Sequence, residues 1–222
     1  MHQVTRLSLV VIFSSAAALA AVRGCAVRSQ ELKPPPGWKV QSDKPTDKPA
    51  YYVEMPPGWH MTTGAASILY DPAYVADGRF AIETEIFLFP GDSQDGYGLF
   101  TGGKELDGGA ATYTAFLLRR DGSAGIAART GGQGRVVRDW VKHDAILPGD
   151  QKDSVKNVLR IVAEAADVTF EVNGKPVLTL PRGDLAIDGT FGFRAGDDIN
   201  VHVSRLDLTR PLAPPRKRAA KS

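Results

Sequence analysis

The sequence predicts an all-β domain built as a two-sheet antiparallel sandwich, and three observations carry that reading. Asn157 to Leu180 reads NVLRIVAEAADVTFEVNGKPVLTL: two alternating runs, Val158–Glu164 and Val168–Asn173, flank Ala165-Ala166, and Lys175–Leu180 follows as a third. Asn173-Gly174 and Asp121-Gly122 supply residues that tolerate positive φ, the chemistry of tight hairpin turns. No segment has the apolar periodicity and caps of a long helix. Val168, Phe170 and Val172 project to one side of their strand, so strands joined by tight turns need a second sheet to cover them.

From the N-terminus, Arg6 precedes an apolar run from Leu7 to Val22, sixteen residues long. That is short for a membrane span and suits a secretory signal peptide, with Ala18-Leu19-Ala20 as the small-x-small cleavage pattern. Residues 1–25 therefore read as a signal peptide for a secreted or periplasmic protein, with no stable membrane span beyond it. Val22-Arg23-Gly24-Cys25 also resembles a bacterial lipobox, with Arg23 where that pattern takes a small residue. A lipid anchor at Cys25, holding the protein at the envelope, is the alternative; an uncleaved N-terminal anchor is the blander one.

Residues 26–57 read as a Pro-rich linker. Pro34-Pro35-Pro36 and Asp43-Lys44-Pro45-Thr46-Asp47-Lys48-Pro49 punctuate a charged stretch without periodicity. PPGW occurs at Pro35–Trp38 and again at Pro56–Trp59. Trp38 is assigned to the spacer and Trp59 to the edge of the domain.

The domain occupies residues 58–210. Its strands are expected at Ser67–Tyr70, Arg79–Phe89, Gly96–Thr101, Ala111–Arg120, Ser123–Arg129 and Arg135–Val141, then the three runs above, then Thr190–Arg194 and Asn200–Leu208. In Arg79–Phe89, Phe80, Ile82, Ile86 and Leu88 share one face, and Glu83, Glu85 and Phe87 the other. Residues 211–222, with Arg216, Lys217, Arg218 and Lys221, read as a basic, disordered tail.

Composition narrows the function classes. At 222 residues with 43% hydrophobic content the chain can bury an ordinary core, and 23 glycines with 15 prolines suit many short strands. A net charge of +2 is too small to imply a nucleic-acid partner. The single cysteine excludes an internal disulfide framework and a Cys-based zinc site.

The order of elements resembles the concanavalin A-like jelly roll, in its laminin-G-like lectin and glucanase branch. Phe80–Phe89, Gly96-Tyr97-Gly98-Leu99, Tyr113–Gly122, Trp140, Asn157-Val158-Leu159, Val168–Gly174 and Gly192–Arg194 carry the resemblance, across Trp59 to Arg210. That fold serves lectins, adhesion modules, glycoside hydrolases and enzymes acting on 3-keto-glycosides, so function has to be argued from the site.

Catalytic groups are scarce. Glu83 and Glu85 lie two apart on one strand face, roughly 6 to 7 Å from each other. A retaining glycosidase needs its two carboxyl groups about 5.5 Å apart. The resemblance implies a Glu-x-Asp-x-x-Glu motif for the glucanases, but here Glu85 replaces the aspartate and Leu88 the last acid. No catalytic residue is assigned, and the two acids are expected to be solvated on a sheet's outer face. His60, His143 and His202 lack metal-ligand spacing, Ser123 lacks the spacing of a nucleophile elbow, and Gly96-Tyr97-Gly98 is followed by no helix. No metal site and no cofactor is assigned. Calcium is the alternative the resemblance raises, through the loop residues Asp92, Asp95, Asp107, Asp197 and Asp198.

Aromatic residues beside polar ones remain. Sugars present a CH face for aromatic stacking and a rim of hydroxyls for charged side chains. Glu85, Tyr97, Tyr113, Arg119 and Trp140 are the candidate ligand-binding residues, with Arg138 as a further polar neighbour. Tyr113 and Arg119 are an even number apart and share a face; Glu85 is expected to join them in one groove. The function expected is a secreted carbohydrate- or glycan-binding module whose partner is an oligosaccharide. A carbohydrate-active hydrolase or lyase is the first alternative, and a non-catalytic adhesion or scaffold module the second.

Overall fold

The computed structural model describes residues 34–211. The predicted signal peptide, Cys25 and nearly all of the basic tail lie outside the described residues. Fourteen strands follow one another: β1 (Lys39–Ser42), β2 (Tyr51–Glu54), β3 (Trp59–Thr62), β4 (Ser67–Ala76), β5 (Phe80–Leu88), β6 (Tyr97–Lys104), β7 (Thr112–Leu118), β8 (Ser123–Thr130), β9 (Gln133–Lys142), β10 (Val155–Ala163), β11 (Asp167–Val172), β12 (Lys175–Pro181), β13 (Gly189–Ala195) and β14 (Asn200–Thr209). Among the described residues the helical content is one 3-10 turn, Arg182–Asp184. No helix there is long and apolar enough to cross a membrane.

Two seven-stranded antiparallel sheets form the sandwich: a front sheet ordered β1-β4-β13-β6-β7-β8-β9 and a back sheet ordered β12-β11-β10-β5-β14-β3-β2. The predicted turns set the registers. Asn173 and Gly174 take φ of 50° and 77° between β11 and β12, and Gly122 takes 83° between β7 and β8. Strand alternation then fills the space between the sheets. Val40, Leu69, Phe193, Leu99, Phe116 and Ile126 are register partners along one row of the front sheet. Ile82, Leu159, Ile161, Phe170 and Val172 answer them from the back sheet, and the rings of Phe116 and Phe170 meet 5.2 Å apart.

The linker assigned to residues 26–57 is corrected from Trp38 onward. β1 adds to the edge of the front sheet through β4, and β2 to the edge of the back sheet through β3. Trp38 is buried, stacks on Phe193 at 5.8 Å with 10° between the planes, and meets Trp59 at 5.3 Å. Prolines between these strands disguise them: each strand has four residues, too few for alternation to register. β4 also runs past Asp71-Pro72 to Ala76, since proline is tolerated where a strand's N–H groups are not needed.

Candidate functional site

The front sheet is strongly curled, and one ion pair demonstrates it. β1 and β8 are separated by four strands, which in a flat sheet would set them about 24 Å apart. Yet Arg129 on β8 donates from Nη1 to Oδ1 of Asp43, immediately after β1, at 2.9 Å. Asp43 is itself tied to the start of β4, its N–H donating to the Ala66 carbonyl at 2.8 Å. An arginine side chain cannot span the flat distance, so the outer face of the front sheet is concave.

That concave face carries an apolar cluster separate from the main core: Ile68 and Tyr70 of β4, Phe100 of β6, Tyr113, Ala115 and Leu117 of β7, with Leu106 and Ala111 from the preceding loop. The registers agree, since Gln41, Ile68, Arg194, Gly98 and Leu117 form one outward row and Tyr70, Gly192, Phe100, Ala115 and Ala127 the next. A sheet apolar on both faces is unusual for an exposed antiparallel sheet.

Across this trough lies a clasp. Asp43 accepts from Arg129 at 2.9 Å and from Arg194 Nη2 at 2.5 Å, so one carboxylate joins two guanidiniums. The Arg129 Nε and Arg194 Nη1 are buried without a partner. Two clefts share Asp43, Tyr113 and Arg129. One, of about 280 Å³, has a floor of Tyr113, Ala115, Leu117 and Ala127 and a rim of Arg129, Arg135 and Arg194. The other, of about 100 Å³, reaches Gln41, Ile68 and Ala111. At the far end a third cleft of about 500 Å³ lies beside Tyr70 and the Lys104–Ala110 loop. There the Tyr70 hydroxyl donates to Asp107 at 2.5 Å and Lys39 Nζ to the same carboxylate at 2.6 Å. Burial first, and Asp107 second, push the Tyr70 phenol far above its ordinary range, so it stays protonated at neutral pH.

The predicted site residues separate on this frame. Tyr113 and Arg119 do share the concave face. Tyr113 is 5% exposed and packs on Phe100 at 5.3 Å, so it is floor and not a free platform. Trp140 lies flat on the same face. A Cβ at Gly96 would fall 2.8 Å from its Cη2, and one at Gly125 3.1 Å from its Cδ2. The guanidinium of Arg119 covers the ring, 3.8 Å from its centroid. With glycines beneath and Arg119 above, Trp140 builds a wall and offers no open ring face. Arg138, on β9, is exposed.

Tyr97 is corrected: it is 1% exposed and points between the sheets, and burial pushes its phenol up to about 12. The strand's alternation puts Leu99 and Tyr97 on the same, core-facing side. Glu85 is corrected as well. It belongs to the back sheet, whose outer face points away from the trough, and it is occupied there by Lys156 at 3.0 Å and the Ser204 hydroxyl at 2.8 Å. Strand pairing, which alternation cannot specify, put β5 and β7 in different sheets.

Asp43, Arg129 and Arg194 went unrecognised in the sequence. Alternation in Phe191-Gly192-Phe193-Arg194 and in Ile126-Ala127-Ala128-Arg129 already placed both arginines on outward faces. Asp43 was hidden in the supposed linker. Of the loop aspartates, Asp95 accepts from the Asp197 N–H at 2.8 Å, and Asp197 from the Ala66 N–H at 2.6 Å and Lys44 at 2.9 Å. No cluster of three or more potential metal-ligating side chains occurs among the described residues.

No protein-family model matches the sequence, and no curated protein matches it. Solved structures do. The carbohydrate-binding module CBM66 from Bacillus subtilis is 14% identical, with 78% of this chain and 96% of that one covered at a TM-score of 0.59. A β-glucanase from Bacillus licheniformis is 11% identical, covering 81% and 95% at a TM-score of 0.58. A Bacillus subtilis protein of unknown function with a galectin-like fold is 12% identical, covering 78% and 88% at a TM-score of 0.56. At such identities the likeness is one of fold, and with two antiparallel seven-stranded sheets the chain is a concanavalin A-like jelly-roll sandwich.

Proposed function

We propose that this protein is an exported carbohydrate-binding module whose oligosaccharide ligand lies in the concave face of the front sheet. The observation that carries the reading is the trough itself: a second apolar cluster, outside the main core, bordered by Arg119, Arg129, Arg135 and Arg194. Apolar floor and polar rim match the two surfaces of a sugar ring. The fold is shared with a carbohydrate-binding module and with enzymes of carbohydrate breakdown. Binding is favoured over cleavage because Glu83 and Glu85, the acid pair, sit on the opposite sheet with cationic partners. The reading needs no cofactor, no nucleic acid and no metal.

Ala127 forms part of the cleft floor and is half-buried, so a larger side chain there fills the cleft without entering the core. Ala127→Phe is expected to lower oligosaccharide affinity at least tenfold in calorimetric titration, with an unchanged melting temperature. Unchanged affinity places the ligand elsewhere. Failure of the unmodified protein to bind across a broad glycan array removes the reading altogether.

Export is proposed from Arg6, the Leu7–Val22 run and Ala18-Leu19-Ala20. Intact-mass measurement of the mature protein is expected to find an N-terminus after Ala20; a diacylated Cys25 would establish the envelope anchor instead, and an N-terminus at Met1 contradicts export.

A further inference from the structure

Resting on the reading above, we infer that the cleft beside Arg129, Arg135 and Arg194 selects acidic glycans, its ligands being oligosaccharides that carry uronate carboxylates.

The charge balance is local. Arg129, Arg135 and Arg194 face one acid, Asp43, in the cleft of about 280 Å³, and three positive charges less one negative leave a surplus of two. The cleft at Tyr70 has no such surplus, holding Lys104 against Glu105 and Asp107. The surplus is therefore built at one place and does not follow from the chain's composition.

Geometry also favours a carboxylate. Asp43 displays the group to which these guanidiniums donate, one oxygen accepting from Arg129 at 2.9 Å and the other from Arg194 at 2.5 Å. Arg129 and Arg194 are held by that bridge, with side chains 24% and 14% exposed. Their fixed, partly desolvated charges add to the positive field at the rim, where a third guanidinium offers planar donors that match a planar carboxylate. Arg135 stands at the rim, its one hydrogen bond running from Nη2 to the Asp184 carbonyl at 3.1 Å, which leaves its other donors free for a ligand. A pyranose seated over Ala127 in this cleft would present its carboxylate to this rim. Asp43 is the positioning residue and Arg135 the ligand-contacting one.

The test compares a polyuronate oligosaccharide with its carboxyl-reduced counterpart, identical except that each acid is a neutral hydroxymethyl group. Calorimetric titration of the full chain is expected to show about tenfold tighter binding of the acid form, the ratio that 1.4 kcal/mol gives. That preference should shrink in 0.5 M salt, as roughly follows from a Debye length near 4 Å. Arg135→Gln, at an exposed rim position, is expected to abolish most of the preference, read as the ratio of the two affinities within the variant so that any general loss of affinity cancels; an undiminished ratio overturns the role of Arg135. Equal affinity for acid and reduced forms overturns the inference while the glycan reading stands; no binding of either overturns both. A sulfated glycan without uronates that binds as tightly as the polyuronate overturns the assignment to carboxylates.

Discussion

The outer faces of the two sheets are opposites in how they treat charge. On the back sheet, Glu83 is paired with Arg205 at 2.5 Å and Arg160 at 3.7 Å, Glu171 with Arg160 at 3.1 Å, and Glu85 with Lys156 and Ser204. Acids and bases alternate between neighbouring strands, and the lattice balances itself. On the front sheet the outer face is apolar, concave and rimmed by arginines that outnumber their one acid in the cleft. A face whose charges are matched has nothing left to offer a ligand. A face with unmatched donors over an apolar floor does, and the two sheets of one sandwich differ in this respect.

The largest expected effect breaks the link between this curl and the N-terminal segment. Trp38→Ala empties a site stacked on Phe193 and should cost about 3–5 kcal/mol in urea unfolding. If residues 26–57 were a spacer, the loss would be negligible. A far smaller effect is expected on the back sheet. Glu85→Gln removes a surface pair and should cost about 0.2–1 kcal/mol, with oligosaccharide affinity untouched. Loss of binding in that variant would move the site to the back sheet.

The smallest effect is in pH dependence. Lys156 first, then Ser204, lowers the Glu85 carboxyl below its ordinary 4.5. Its contribution is therefore complete above 4.5 and is lost as pH falls through the lowered folded value. His60, half-buried across from His202, is lowered from 6.5 chiefly by burial, then by His202. Its unfolded form takes up a proton more readily, so stability should decline as pH falls below 6.5. Glu85→Gln is expected to flatten the acid part of a stability–pH curve and leave the limb near 6.5; His60→Gln should do the reverse.

Legibility in the sequence followed the length of each element. β5, β10 and β11 are long enough for alternation to declare both strand and buried face, and Asn173-Gly174 declares its turn. β1 and β2 were not legible, because their burial comes from the strands they pair with: Val40 finds Leu69, and Tyr52 finds Met61. The same limit decided the site. Tyr113, Arg119 and Trp140 lie on one face because β7, β8 and β9 are consecutive and joined by tight turns. Glu85 was misplaced because its sheet is fixed by pairing with β10 and β14, far along the chain. The Asp43 clasp depends on curvature, and no local pattern encodes that.

The placement of β1 and β2 at one edge of each sheet has a practical consequence for anyone shortening this protein. A fragment beginning at residue 58 would strip both strands together, baring the β4 edge of one sheet and the β3 edge of the other. Open edges of this kind are templates for pairing between molecules. Such a fragment should self-associate through its newly exposed backbone, and its tendency to precipitate would reflect the missing segment and not the sandwich that remains.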